Sequence, residues 1–199
     1  TTTTTEPPTT TTIPPPESLW EILLADPELS LFAGAVDDAG LVGLFEGSMS
    51  LVDLSGLLGI DLQIELGLDP AVATITALVP TNAVIQAAPG WPEIQGDEEA
   101  LRRFVLSHVV PDSYRWDDIL AVFELINLNN EVLTIDPVLQ TINDAHVLVP
   151  DLAAPNGFVH TVDAVLVAPT PTPPPTVPAT PPGTPPATPP ATPVDTSGG

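Results

Sequence analysis

Between Glu17 and Ala168 the spacing of apolar residues changes period several times, and each change marks a predicted element. Ser18 with Glu21 forms a capping-box pattern ahead of Leu19, Ile22 and Leu23, predicting a short helix that stops near Pro27. Leu29, Phe32, Ala35, Val36 and Ala39 then follow helical spacing, with Asp37 and Asp38 outside and Gly40 ending the run. Leu41, Val42, Leu44 and Phe45 start another short helix. Thr74 to Val79 alternates as a strand and runs into Pro80-Thr81-Asn82, where Thr81 is placed to cap a helix through Ala83, Val84 and Ile85. Asp97 opens a helix whose apolar face is Leu101, Phe104, Val105 and His108, with Arg102 and Arg103 outside.

The second half of the chain reads as β. Short apolar runs at Ile119 to Ile126, Glu131 to Ile135, Val138 to Ile142 and His146 to Val149 are separated by Asn127 to Asn130, Asp136-Pro137 and Asn143-Asp144. After the Asn156-Gly157 turn, a period of two places His160, Val162, Ala164 and Leu166 on one face of a strand and Val159, Thr161, Asp163, Val165 and Val167 on the other. A histidine on an apolar strand face is more readily a satisfied core group than a ligand, because its two ring nitrogens bridge backbone groups.

Ser48 to Ala73 departs from this economy. Leu51, Leu54, Leu57, Leu58, Ile60, Leu62, Ile64, Leu66 and Leu68 are interspersed with Asp53, Asp61, Glu65 and Asp69; the first half has helical spacing and Asp61 to Leu66 alternates like a strand. Such a segment either covers the domain's own core, the reading favoured here, or offers a surface to a partner. Leu54, Leu57, Leu58, Ile60 and Leu62 are the candidate contacts.

Three stretches together resemble the fasciclin (FAS1) domain. Asn156-Gly157-Phe158-Val159-His160-Thr161-Val162-Asp163 is similar to its second signature, Asn-Gly-x-x-His-x-(Ile/Val)-Asp. Leu78-Val79-Pro80-Thr81-Asn82 is similar to the first, with Leu78 and Val79 in place of Phe and Ala and Ile85 in place of the closing aromatic. Leu106-Ser107-His108-Val109-Val110-Pro111 resembles Leu-x-Tyr-His-Val-Val-Pro-Gly, with Ser107 for Tyr and Asp112 for Gly. The adhesion role linked to that Tyr-His pair in animal members therefore does not carry over. The resemblance implies an α+β fold, a β-sandwich wedge with helices packed against it, over residues 17–168. It makes the stretch 48–73 longer than the family's short link at this point, by an insertion of roughly fifteen to twenty residues. Thr81, Asn82, His108, Asn156, Gly157, His160 and Asp163 are then fold determinants.

The flanks have another composition. Of the 27 prolines, five precede Glu17 and thirteen follow Val167, and the remaining nine are spread between. Residues 1–16 hold nine threonines and too little apolar surface to pack. The tail at 169–199 carries a loose Thr-Pro-Pro repeat that favours polyproline II, and from Ala168 to Pro193 it makes a spacer reaching about 80 Å. Both read as disordered linkers or as O-glycosylated stalks, and the repetition of the chemistry at both ends favours stalks. Candidate acceptors are Thr9, Thr10, Thr11, Thr12, Thr170, Thr172, Thr176, Thr180, Thr184, Thr188 and Thr192; no Asn-x-Ser/Thr acceptor occurs. The chain starts with threonine and shows no signal peptide, consistent with a processed, exported form or a fragment.

Acidic residues number 26 against Arg102, Arg103 and Arg115, giving a net charge of -23. This excludes nucleic acid and anionic membrane surfaces as partners, and no apolar run is long enough for direct membrane insertion. Cysteine is absent, so disulfides and thiolate metal sites are too. No nucleophile elbow, P-loop, dinucleotide fingerprint or zinc-helix motif is present, and no catalytic residue, metal or cofactor is assigned. Asp37-Asp38, Asp97-Glu98-Glu99 and Asp117-Asp118 offer calcium oxygens, but without an EF-hand pattern they read first as solvated surface. The expected function is a non-enzymatic extracellular module that binds protein or glycan. The alternative is a structural subunit that forms an oligomer or polymer through the insertion or the tails.

Overall fold

A computed structural model describes residues 15–59 and 74–166, all within one unit spanning 1–168. The helices come first because the opening third supplies caps and amphipathic runs. In α1 (Leu19–Ala25) the Ser18 hydroxyl accepts from the Glu21 N–H at 3.3 Å, while the Glu21 carboxylate reaches one residue further back than a capping box, to Glu17 N–H at 2.6 Å. Asp26 caps a 3-10 turn, Pro27–Leu29, and leads into α2 (Ser30–Asp38), whose expected face of Leu29, Phe32, Ala35, Val36 and Ala39 is buried. Next come α3 (Val42–Glu46) and α4 (Leu51–Leu58), the latter opened by a full capping box between Ser50 and Asp53. The predicted strand at Asp61 to Leu66 lies outside the described residues.

The sheet has seven strands: β1 (Ile75–Pro80), β2 (Val109–Pro111), β3 (Glu124–Ile126), β4 (Val132–Asp136), β5 (Thr141–Ile142), β6 (Ala145–Ala154) and β7 (Gly157–Val162). Their order is β2-β1-β7-β6-β5-β4-β3, antiparallel except for the parallel pair β1–β7. Between β1 and β2 lie α5 (Asn82–Ala87), α6 (Trp91–Ile94) and α7 (Glu98–Ser107), and α8 (Trp116–Leu120) precedes β3. Beyond β3, Leu128 N–H donates to Val109 O in β2 at 2.8 Å, so the two ends of the sheet meet and neither edge is left open there.

The curl makes two cores. Ile75, Ala77, Val79, Val109 and Val159 face the helices, where Phe32, Phe45 and Phe104 sit. Leu78, Val110 and Val162 face the other way, against Ile119, Leu125, Leu133, Ile135 and Ile142. β1 therefore does not alternate between core and solvent as its pattern suggested; it is buried along its whole length. Its one polar side chain is satisfied: Thr76 Oγ1 donates to Asp112 O at 2.9 Å and accepts from Tyr114 N–H at 2.8 Å.

Four boundaries differ from the sequence reading. Ile119 belongs to α8, not to a β run, and its buried side chain anchors that helix in the second core. Val138 to Gln140 form a turn because the Asp136 carboxylate accepts from Val138 and Leu139 N–H at 2.8 and 2.9 Å, leaving both side chains exposed. β6 extends to Ala154, with two irregularities that hid its alternation. β7 ends at Val162, and residues on both its faces are buried, with Phe158 alone half-buried.

Gly157 fixes the centre of this sheet. Its φ is +142°, and a Cβ built there would stand 1.8 Å from Ile75 O. A Gly157→Ala substitution must displace β1 or β7, and a loss of more than about 3 kcal/mol is expected, measured by chemical denaturation. Gly34→Ala, in a helix and with open space around its Cβ, serves as the control that should leave stability near wild type.

Candidate functional site

The polar residues singled out in the sequence are bonded to the backbone of distant segments. Asn82 accepts from Leu31 N–H at 2.8 Å and donates to Pro27 O at 2.8 Å and Ser30 Oγ at 3.0 Å, tying the start of α2 to α5. Thr81 occupies the N-cap position of α5, as predicted, but its side chain makes no capping bond. Asn156 accepts from Leu19 N–H at 2.9 Å and donates to Phe45 O at 2.7 Å, joining the start of α1 and the end of α3 to the β6–β7 turn. Asp163 accepts from His146 N–H at 2.7 Å just beyond β7.

The two interior histidines act as connectors with opposite tautomers. Leu166 N–H donates to His108 Nε2 at 2.9 Å, so the proton sits on Nδ1 and is given to Phe104 O at 2.8 Å. Asp151 N–H donates to His160 Nδ1 at 3.1 Å, so here Nε2 carries the proton and gives it to Tyr114 O at 3.0 Å. Both rings are fully buried, with no exposed edge to act as a base toward a ligand. Burial lowers the His108 pKa from 6.5 to about 4, partly offset by the Phe104 carbonyl, and burial lowers that of His160 as well. Among the described residues, no hydrogen bond or ion pair links two of these sequence-selected side chains, and no group of three His, Asp or Glu is placed to hold a metal ion.

The insertion's contacts are divided. Leu54 is fully buried in the helical core, so it offers no surface; as an interaction residue it is corrected. Leu57 is 42% exposed and lines an open groove of about 450 Å³ with Arg102, Arg103, Leu106, Leu128 and Asn129. The side chain of Leu58, and Ile60 and Leu62 entirely, lie outside the described residues, as do Thr9 to Thr12 and the threonines from Thr170 to Thr192. Two of the three acidic groups have local work: Asp97 caps α7, Glu98 and Glu99 pair with Arg102 and Arg103 at 2.5 and 3.2 Å, and Asp118 accepts from Arg115 N–H at 3.1 Å. Arg102 is not simply outward as predicted; it is 17% exposed and donates to Ala39 O at 3.3 Å.

One surface escaped the sequence reading. The segment Tyr114-Arg115-Trp116 crosses the end of the second core. The Arg115 guanidinium lies 5.4 Å above the Phe158 ring, Phe158 stacks at 6.3 Å on His160, and Trp116 stands 6.2 Å from the same imidazole. Phe158 and Trp116 are half-buried and Arg115 is exposed. The available signal was composition: the chain's single tyrosine, one of three arginines and one of three tryptophans stand consecutively.

A curled mixed sheet, with helices over one face and its interior histidines and asparagines bonded to backbone, defines an α+β domain built to hold loops rigidly. A family model, the Fasciclin domain, matches residues 27–168, and the chain belongs to that family. Domains of this family are in general adhesion and binding modules. Among solved structures, a FAS1 domain pair from the insect cell adhesion molecule Fasciclin I is similar at 19% identity and a TM-score of 0.45, over 72% of this chain and 46% of that one. The chain thus spans just under half the length of that pair. A comparison with curated proteins returned no match. No helix among the described residues is long and apolar enough to cross a membrane.

The histidine geometry carries a pH dependence. Because the folded-state pKa of His108 lies below its unfolded value, its contribution to stability is complete above about pH 6.5 and is lost as pH falls toward 4. The full effect is roughly 3 kcal/mol. Urea titrations between pH 7 and 4 should therefore show a steeper decline for wild type than for His108→Phe. Equal declines would show that His108 is not the group responsible.

Proposed function

We propose that this chain is a non-enzymatic extracellular binding module, presented on O-glycosylated Thr/Pro-rich arms and docking to protein or carbohydrate. The observation that carries the reading is the division of labour along the chain. The buried polar side chains of the family's signatures hold backbone in place, while a basic and aromatic group is displayed on one rigid surface. The acidity favours neutral or cationic partners and keeps an exported chain soluble.

A second reading, a self-assembling structural subunit, is favoured by one feature. On α4, Val52 and Leu57 are 51% and 42% exposed while Leu54 anchors the helix from beneath, so the insertion displays two outward apolar side chains. Light scattering with mass spectrometry on protein from its native source separates the two. The binding module is expected as a small particle whose chain exceeds 20.7 kDa by sugar-sized increments on the terminal peptides. A large regular particle that Leu57→Asp dissolves would establish the subunit instead. Unmodified termini would remove the glycosylated stalks from the proposal.

A further inference from the structure

The geometry points to the Arg115–Phe158–Trp116 surface as a docking shelf for a neutral saccharide. The inference rests on the binding role proposed above and names where and what that module binds.

The backbone of the shelf is fixed at every step. Tyr114 N–H donates to Thr76 Oγ1, Tyr114 O accepts from His160, Arg115 N–H donates to the Asp118 carboxylate, and Trp116 N–H donates to Asp151 Oδ1 at 2.9 Å. The side-chain tips are treated differently. Among the described residues neither the Arg115 guanidinium nor the Trp116 indole N–H has a hydrogen-bond or ion-pair partner, although Arg102 and Arg103 each hold a carboxylate. A chain with 26 acidic residues thus keeps one arginine over an aromatic ring, its guanidinium paired with no carboxylate among the described residues. Across from Phe158 in the β6–β7 pairing stands Ala153, small and exposed, so no bulky side chain covers the half-buried ring from that strand.

Two half-exposed ring systems, a planar fork of donors and the exposed Asp151 carboxylate are the complement of a sugar: apolar C–H faces for the rings, vicinal hydroxyls for the fork and the carboxylate. Charge selects the type of sugar. The exposed carboxylates of Asp112, Asp117, Asp118 and Asp151 around the shelf oppose an anionic ligand, and a polyol meets the guanidinium and the Asp151 carboxylate through its hydroxyls with no counter-charge required. Extent argues against a protein, since a standard interface engages about 800 Å² on each partner and depletes acidic residues, whereas this shelf is a few residues wide within an acidic rim.

The test uses the full chain against neutral oligomers of glucose, mannose, galactose and N-acetylglucosamine, first on an array and then by titration followed in tryptophan fluorescence. Wild type should bind at least one neutral series saturably, with little dependence on salt. Arg115→Ala and Phe158→Ala should each weaken that binding by roughly tenfold or more, with melting temperatures near wild type. Ala153→Leu, which covers the Phe158 face without touching either core, should weaken it as well and guards against a folding defect in the first two. Binding by no neutral series, or equal binding by all three variants, overturns the shelf; so does binding confined to uronic-acid glycans or to a protein. If the variants still attach to the native surface as wild type does, the shelf falls and the binding role stands. If wild type attaches to nothing, both fall.

Discussion

The parallel pairing of β1 and β7 is the constraint on which the rest of this domain depends. β1 is buried along its whole length and β7 everywhere but at the half-buried Phe158, so the backbone groups they carry must find partners within the pair or in the strands beside it. The register holds only because the chain at Gly157 passes so close to Ile75 O that any side chain would occupy the same space. With that contact made, Asn156 is delivered to the starts and ends of two helices, and His160 to the loop that closes the second core. Neighbouring residues on one turn thereby position segments from opposite ends of the domain.

The same economy explains the polar residues of the interior. A buried imidazole is costly unless both nitrogens are bonded, and each buried histidine has one N–H donor and one acceptor matched to backbone groups of two separate segments. Asparagine serves the same purpose at Asn82 and Asn156, where one amide side chain satisfies groups that helix ends leave open. A core organised in this way is specific in register and intolerant of near-isosteres.

What the sequence made legible follows from how local each signal is. The first helices, the start of α7 and the strands β1 and β7 were read from caps and periods contained within ten or so residues. α8 was missed because a five-residue helix completes little more than one turn, and Ile119 within it resembled part of a strand. The length of β6 was missed because its irregularities, with Asp151 at a φ of +58°, shift the alternation midway. The shelf could not be read from spacing at all: Arg115 and Phe158 are brought together only by the sheet's order. The insertion was half legible, since helical spacing located α4 but could not tell that Leu54 points inward and Leu57 outward.

The placement of the three arginines has a further consequence for proteolysis. A protease that cuts after basic residues finds no lysine anywhere in the chain and no basic residue in either Thr/Pro-rich flank. Arg102 and Arg103 lie within a hydrogen-bonded helix, each engaged by a carboxylate one turn away, and Arg115 lies on a ring between two fixed backbone contacts. Cleavage requires an extended, accessible segment, so Arg102 and Arg103 become substrates only when their helix opens, whereas Arg115, exposed on extended backbone, is the position of the three open to attack in the folded domain. The Thr/Pro-rich flanks themselves offer such a protease no site.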